Sequence, residues 1–279
     1  MSGATPAVRE RPKISACVIT YNEEAHIRRC LESVRWCDEI VVVDSFSTDR
    51  TVEICRQFTD RVVQHAWLGY VGQRNLVREL ATHPWLLFLD ADEEVSLGLR
   101  AEIESRFARD LGALAGFEFP RMVYYLGRWI RHGEWYPDIK LRLFRKDLGR
   151  TEGEEPHDRV VVQGPIERLR NPIWHYTYDD IEDHLNTMNR FSSITARRRC
   201  AQGDRFRLFD LLLHPPFRFL KAYLIRGGFR DGLHGFVIAF ISAFASAMKY
   251  AKLWELRLRE RQDFRDRPVR YPPLQPPQR

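Results

Sequence analysis

Two acidic residues follow a short apolar segment in the first third of the chain. Residues 85–89 are all apolar, and Asp90 and Asp92 come directly after them. Such a run indicates a strand buried on both faces, and strands of an open α/β sheet end at the ligand crevice. Carboxylates in an Asp-x-Asp pattern can bind a hard cation such as Mg2+ or Mn2+, which bridges to substrate phosphates. The alternative interpretation is a strand followed by the acidic first turn of a helix that begins near Ser96.

Alternating strand and helix patterns would position these acids. Strands are predicted at residues 14–20, 39–44, 62–65 and 85–89, and helices between them at residues 27–34, 52–58 and 71–81. This alternation is typical of a parallel α/β sheet, whose strands have their carboxyl ends on one edge. Polar residues follow the first, second and fourth strands at residues 20–23, 44–49 and 90–93. The sequence therefore predicts that these three sets line one crevice, which suits a nucleotide diphosphate.

The pattern changes after residue 110. Shorter strands are predicted at residues 117–119, 122–125 and 140–144, with Pro120 separating the first two, and the chain is predicted to be helical from Asp179 onward.

Composition limits the class of protein. A chain of 279 residues can form one large domain with an appendage, and its 44% hydrophobic content is that of a folded protein. The five cysteines form no Cys-x-x-Cys pair and no zinc-ligand spacing, so reduced thiols in a cytoplasmic protein are expected. The first 12 residues are polar and charged, and they predict no signal peptide.

The positive charge is concentrated near the C-terminus. The net charge is +6, and residues 205–267 contain 13 Lys and Arg against 6 Asp and Glu. Because no nucleic-acid-binding motif is present, this distribution indicates a local anionic partner rather than nucleic acid. Residues 205–213 and 217–226 mix Phe, Leu and Ile with Arg and Lys, as do helices that lie in a membrane interface.

The C-terminal segment leaves alternatives open. The residues at 214–216, His-Pro-Pro, are expected to separate the two basic helices, because proline interrupts a helix. Residues 235–248 are mostly apolar but shorter than the roughly 20 residues that span a bilayer. They predict a packing helix, a contact with a partner helix, as in a homo-oligomer, or a shallowly inserted helix. The other interpretation of the whole segment is a helical subdomain packed on a catalytic core.

Taken together, these motifs resemble the inverting glycosyltransferases of family 2, which have the GT-A fold. Within that family the chain is similar to the branch of lipopolysaccharide-core beta-1,4-glucosyltransferases. The matching segments are residues 18–23, 41–49, 73–75, 89–93, 135–138, 141–145, 156–158, 227–232 and 249–254. The fold class expected is α/β, a Rossmann-like mostly parallel sheet with flanking helices, plus C-terminal amphipathic helices. The domains expected are a flexible N-terminus (1–12), the GT-A domain (13–200), a basic amphipathic membrane-association segment (201–267) and a Pro-rich tail (268–279).

The resemblance implies a metal-dependent transfer of a sugar, expected to be glucose, from a UDP-sugar. The acceptor would be a lipid-linked or lipopolysaccharide-core saccharide, and the enzyme would be peripheral on the cytoplasmic face of the inner membrane. By resemblance, Asp92 would bind Mg2+ or Mn2+, and His157 is a candidate second ligand. The residues assigned to the donor site are Thr20, Asn22, Glu23, Asp44, Ser47, Arg74 and Asp90.

An inverting reaction needs one general base for the acceptor hydroxyl. Asp158 is the first candidate by resemblance, and it follows a Gly- and Glu-rich connection. Asp138, in an aromatic loop suited to stacking a sugar ring, is the second. The alternative for Asp158 is a surface ion pair with Arg159 or Arg142.

Two functions of other classes compete with the glycosyltransferase. One is a phosphatase that uses Asp-x-Asp as nucleophile and acid, although such enzymes carry the motif after the first strand. The other is a non-catalytic membrane adaptor on a GT-A-like core, which would follow if Asp158 and Asp138 were remote from the crevice.

Overall fold

A computed structural model describes residues 11–154 and 157–261, apart from the side chains of residues 154–157 and 261. The chain forms two compact units, the first from residues up to 120 and 139–173, the second from residues 121–138 and those after 173. The expected boundary at residue 200 does not coincide with this division, because residues 121–138 and 174–200 belong to the second unit. Most of the predicted N-terminus (1–12) and all of the predicted tail (268–279) lie outside the described residues.

A parallel sheet forms the first part of the first unit, in the strand order β3-β2-β1-β4. Its strands are β1 (Ile14–Thr20), β2 (Glu39–Asp44), β3 (Val62–Gln64) and β4 (Trp85–Asp90). The helices between them are α1 (Ile27–Ser33), α2 (Thr51–Cys55) and α3 (Gly69–Leu80). The predicted alternation is confirmed. Every residue of β1 is buried, since apolar side chains cover both faces of the sheet.

The acids after β4 do not begin a helix. Glu93–Val95 forms a short strand, β5, and the next helix is α4 (Leu97–Phe107). Ser96 caps α4, because its Oγ accepts a hydrogen bond from the Leu99 N–H at 3.1 Å. The helix thus begins where the sequence predicts, but the interpretation of the acids as its first turn is wrong.

Later strands make the sheet mixed. They are β6 (Gly116–Tyr125), β7 (Arg128–Trp129), β8 (Asp138–Arg145), β9 (Gly149–Glu154), β10 (His157–Val162), β11 (Ile166–Arg168) and β12 (Ile173–His175). β8 runs antiparallel to β4, with Leu87 opposite Leu143, and β9 and β10 form a separate hairpin. Pro120 lies inside β6, so the prediction of two strands there is wrong. A proline φ fits an extended chain, and its missing N–H costs only one possible ladder bond.

The second unit is mainly helical. It contains α5 (Ile181–Ala201), α6 (Leu208–Leu220), a π-helical turn (Lys221–Ile225), a 3-10 turn (Gly228–Asp231) and α7 (Leu233–Arg261). Both α5 and α6 pack against α7. Pro215 and Pro216 lie within α6, and the predicted break at residues 214–216 is wrong. Proline φ is helical, so the helix loses two N–H donors there without ending, and the regular hydrogen bonding changes only at Lys221.

Candidate active site

The loops after β1 and β2 bind each other. The Asn22 N–H donates to Ser47 Oγ at 2.8 Å, and the Thr48 N–H donates to Asn22 Oδ1 at 2.8 Å. Asn22 has a φ of 52°, a left-handed conformation that asparagine tolerates better than most residues. Three of the predicted donor-site residues, Asn22, Asp44 and Ser47, are therefore brought together, because Ser47 also binds Asp44.

Buried polar atoms surround the end of β2. Asp44 is fully buried, and its carboxylate accepts hydrogen bonds from the Ser47 N–H at 2.9 Å and from Gln64 Nε2 at 3.0 Å. The Ser47 hydroxyl donates to the same carboxylate. Thr20 Oγ1, at the end of the neighbouring strand, is buried and has no hydrogen-bond partner among the described residues. An orphaned buried hydroxyl is costly, so its presence at a strand end indicates a place where a ligand completes the bonding.

Glu23 lies beside this cluster and is largely buried. Its N–H donates to Thr51 Oγ1 at 2.7 Å, and its carboxylate is 3.2 Å from His26 Nδ1. Glu23 thus joins the β1 loop to α2.

Two arginines bind the first acid of the Asp-x-Asp pattern. Arg74 Nη2, from α3, is 2.5 Å from Asp90 Oδ1, and Arg142 Nη2, from β8, is 2.7 Å from Asp90 Oδ2. Burial raises the pKa of Asp90, but Arg142 and Arg74 outweigh burial and hold that pKa well below its ordinary value. Asp90 is consequently an ionised carboxylate with both oxygens bound to protein.

Glu93 completes this arrangement. Its Oε1 accepts from Arg142 Nη2 at 3.0 Å, and its Oε2 accepts from the Asp90 N–H at 3.0 Å. Burial lowers the pKa of Arg142, but Asp90 and Glu93 outweigh burial and raise it. Arg142 and Glu93 therefore fix the turn that carries Asp92. The sequence interpretation missed both roles, although an arginine flanked by Leu141 and Leu143 in a buried strand was a signal that it is paired.

Asp92 follows in the same turn and is 7% exposed. Within residues 11–154 and 157–261, no group of three or more His, Cys, Asp or Glu side chains is arranged to hold a metal ion. Mg2+ or Mn2+ bound to a nucleotide uses one or two carboxylates and takes its other ligands from phosphates and water, so the Asp92 carboxylate suits such an ion. The side chain of His157, the second predicted ligand, lies outside the described residues.

Asp158 is held by the same arginine as Asp90. It lies on β10, and its carboxylate pairs with Arg74 Nη1, while the Asp158 side chain is 10% exposed. The alternative of a surface pair with Arg159 or Arg142 is therefore not what the structure shows. The β9–β10 hairpin is also fastened to α3, since Asn75 exchanges two hydrogen bonds of 3.0 Å with the backbone of Thr151.

The match to known proteins follows the same segments. The family model described as Glycosyl transferase family 2 matches residues 15–169, more than half of the chain. The chain belongs to glycosyltransferase family 2. This confirms the predicted family and its GT-A fold, and it identifies a glycosyltransferase rather than an Asp-x-Asp phosphatase.

Two relatives that match over most of their length agree with this assignment. "Uncharacterized glycosyltransferase RT0209" of Rickettsia typhi is 36% identical over 262 residues, covering 89% of each chain. "Lipopolysaccharide core biosynthesis glycosyltransferase LpsC" of Rhizobium meliloti is 30% identical over 249 residues, covering 87% of this chain and 92% of its own. Among solved structures, the mannosyltransferase PcManGT of Pyrobaculum calidifontis, in complex with GDP-Man and Mn2+, is 14% identical, with a TM-score of 0.48 and coverage of 93% and 90%.

The second candidate base of this family-2 glycosyltransferase has a different setting. Asp138 belongs to the second unit and begins β8. Arg121 binds it with two nitrogens, Nε at 2.9 Å and Nη2 at 2.8 Å from Asp138 Oδ2. Of the predicted site residues, the first unit therefore contains all except Asp138.

Proposed function

We propose that this glycosyltransferase transfers a sugar from a UDP-sugar to a lipid-linked or lipopolysaccharide-core saccharide and inverts the configuration at the anomeric carbon. The sugar that we expect is glucose. The observation that carries the proposal is the single guanidinium of Arg74, which binds both the Asp-x-Asp acid Asp90 and the candidate base Asp158. Because one side chain holds both groups, the acid that binds the donor and the base that activates the acceptor can act on opposite faces of the anomeric carbon.

Buried groups at the ends of β1 and β2 suit the uracil ring. Uracil presents one N–H donor flanked by two carbonyl acceptors, so it needs an acceptor and a donor from the protein. The Asp44 carboxylate supplies the acceptor, and the Thr20 hydroxyl, orphaned among the described residues, supplies the donor. Asn22 and Ser47 hold the surrounding loop in place.

Charge supports the need for a divalent cation. The described site contains the carboxylates of Asp44, Asp90, Asp92, Glu93 and Asp158, and the guanidinium groups that bind three of them are those of Arg74 and Arg142. A diphosphate adds negative charge to a site that is already acidic. Asp92, with His157 as the predicted second ligand, would hold Mg2+ or Mn2+ beside the diphosphate. When bound, the ion acts as a Lewis acid that stabilises the leaving UDP.

Asp158 then serves as the base. Its carboxylate takes the proton of the acceptor hydroxyl while that oxygen forms a bond to the anomeric carbon. The bond between the anomeric carbon and the β-phosphate oxygen breaks on the opposite face, and its electron pair leaves with UDP. The sugar is inverted, and no covalent intermediate with the enzyme forms. Arg74 orients the Asp158 carboxylate before the acceptor arrives.

The deciding experiment compares two isosteric substitutions. Asp158→Asn should retain UDP binding and lower turnover by ~10²–10⁴, the usual loss for a general base. Asp147→Asn is the matched control, because Asp147 is an exposed acid that pairs with Arg145 in the same unit. Near-parent turnover in Asp158→Asn together with a large loss in Asp138→Asn would assign the base to Asp138 instead.

The acceptor and the place of action are the remaining parts of the proposal. LpsC carries lipopolysaccharide core biosynthesis in its name, which supports an acceptor of that class. The proposed place of action is the cytoplasmic face of the inner membrane. Slow hydrolysis of the donor in the absence of acceptor, measured across a series of UDP-sugars and GDP-sugars, tests the donor. Faster hydrolysis of GDP-sugars would refute the uridine assignment.

A further inference from the structure

The helix α6 is apolar on the side that faces away from its neighbours. No residue of α6 is buried, and its more enclosed side is formed by Leu211, Pro215 and Phe219 at four-residue spacing. A helix on a water-exposed surface has polar residues on the opposite side. In α6, by contrast, most exposed residues are apolar: besides His214, Pro216 and Arg218, the exposed residues, with exposed fractions between 47 and 68%, are Leu208, Phe209, Leu212, Leu213, Phe217 and Leu220.

The first half of α7 extends this surface. Leu233, Phe236, Phe240 and Phe244 recur every three or four residues and are exposed by 40 to 73%. The Phe236 ring packs against Phe219 of α6 at 5.6 Å between centroids and stacks on Phe240 at 6.2 Å. We name these ten residues of α6 and α7 the Phe face. An exposed apolar patch of this extent marks an interaction site.

Positive charge flanks the two helices of the Phe face in the sequence. Arg207, Lys221, Arg226 and Arg230 are exposed and have no acidic partner within residues 11–154 and 157–261. The acids nearest in sequence are already engaged, because Asp210 pairs with His214, and Asp231 binds His132 and the Arg131 N–H. The surface therefore combines large apolar side chains with uncompensated cationic groups.

We propose that the Phe face docks the chain in one leaflet of an anionic bilayer without spanning it. This deepens the membrane location that is part of the proposed function and rests on it. Anionic headgroups attract the four basic residues, while the Phe and Leu side chains enter the acyl region. A second copy of the chain fits less well, because an isologous dimer would bring the same cations together.

Insertion in one leaflet follows from the geometry of α7. By length and composition alone, Leu233–Glu260 could cross a membrane. Large exposed apolar residues recur at close spacing only from residue 233 to 244, about 17 Å of helix against a hydrocarbon core of about 30 Å, and the next one, Trp254, follows only after Lys249 and Lys252. Beyond it, Lys252 Nζ bonds Asn189 Oδ1 at 2.6 Å, and Arg257 Nη2 bonds the Cys200 carbonyl at 3.0 Å. Both of these charged residues of the second half of α7 are thus bound to α5.

Flotation with vesicles tests the docking. The parent should bind vesicles of phosphatidylcholine with phosphatidylglycerol more tightly than pure phosphatidylcholine. Substituting Leu213→Gln, Phe217→Gln and Phe240→Gln together should lower partition at least tenfold. The charge variant Lys221→Gln, Arg226→Gln and Arg230→Gln should lower it about a hundredfold on anionic vesicles only. The matched control is Ile181→Gln with Leu185→Gln, since both residues are exposed apolar residues of α5 in the same unit.

Labelling tests the topology. The variant Arg259→Cys is added to preformed vesicles and treated with a membrane-impermeant maleimide. The reagent should label residue 259, and peptide mass analysis identifies the labelled site. Protection of that site would mean that α7 spans the bilayer, and it would overturn one-leaflet insertion.

Three other results would overturn the docking itself. These are equal flotation of the apolar variant and its control, equal binding of the parent to neutral and anionic vesicles, or a parent dimer in ultracentrifugation that the apolar variant lacks. The last would make the Phe face an interface between copies. Donor hydrolysis is measured in the parent and in every variant. Hydrolysis by variants that no longer bind vesicles would leave the proposed sugar transfer intact. A parent that binds vesicles but hydrolyses no donor would refute the proposed function and leave the docking intact.

Discussion

Replacing Arg142 tests whether the buried ion pairs hold the Asp-x-Asp turn. Arg142 is 5% exposed and Glu93 is 1% exposed, and the two are joined at 3.0 Å. Arg142→Met keeps an apolar stem of similar length but removes the guanidinium. Asp90 retains Arg74 as a partner, whereas Glu93 loses the cation that binds its Oε1.

Breaking a buried pair by removing one partner costs about 3–5 kcal/mol, because the remaining charge is left uncompensated. We expect Arg142→Met to lower the free energy of unfolding by about that amount and Tm by about 10 °C. Glu93→Gln alone should also be costly, although its amide oxygen can still accept the Asp90 N–H. The double variant has no unpaired carboxylate at residue 93. The free energy of unfolding that it loses should therefore be smaller, by about 1–3 kcal/mol, than the sum of the losses of the two single variants.

Urea unfolding of the four proteins in this cycle gives the coupling energy. The control is Arg145→Met on the same strand, where the arginine pairs with the exposed Asp147 and should contribute less than about 0.5 kcal/mol. Single losses that add within about 0.5 kcal/mol, or an Arg145→Met loss equal to that of Arg142→Met, would refute the reasoning.

Three further results are expected. Asp92→Ala should abolish transfer and weaken UDP binding in calorimetry only when Mn2+ is present, and equal affinity at saturating Mn2+ would remove Asp92 as a ligand. Burial lowers the pKa of His184 to about 4. As the pH falls below 6.5, the unfolded chain therefore binds the proton before the folded chain does. The free energy of unfolding should consequently fall by up to about 3 kcal/mol between pH 6.5 and pH 4. His184→Phe should flatten that pH dependence in urea unfolding, and an unchanged slope would contradict the assignment. The Asp231 carboxylate binds the Arg131 N–H, the His132 N–H and His132 Nδ1. Asp231→Asn leaves only one oxygen for these contacts and should speed proteolysis at residues 131–133. Cleavage at the parent rate would argue against this anchoring.

The fold of the parallel sheet could be predicted because its signals are local. β1 and β2 have the predicted bounds, since each is a short apolar run that ends at a polar residue. The errors at Pro120 and at Pro215 with Pro216 share one cause. Proline was taken as a boundary, but its fixed φ is compatible with a strand or a helix, and only hydrogen-bond donors are lost.

The site could be predicted only in part, because strand order is needed for the rest. The carboxyl-end rule predicted that Asp44 and Asp90 lie at the ends of their strands, and the structure has them there. Arg142 depended on the antiparallel register of β4 and β8, in which Leu87 lies opposite Leu143. Continuing that register places Arg142 opposite Phe88, whose side chain shares a face with Asp90, so the two charged groups are diagonal neighbours. The flanking leucines indicate that Arg142 is paired, but no sequence pattern identifies Asp90 as its partner.

Arg142 and Arg74 differ in how their positive charges are paired within the protein. Arg142 is enclosed by Asp90 and Glu93, so its charge is already committed within the protein. Arg74 extends from Asp90 to Asp158 on the β9–β10 hairpin, and its one positive charge is shared by two carboxylates. A diphosphate that approached Arg74 would therefore compete with both of them and meet net repulsion. A divalent ion held by Asp92 would offset much of that repulsion, because it would add two positive charges beside the acids. We therefore expect donor binding to depend on a divalent ion, because both arginines are already paired with carboxylates of the protein.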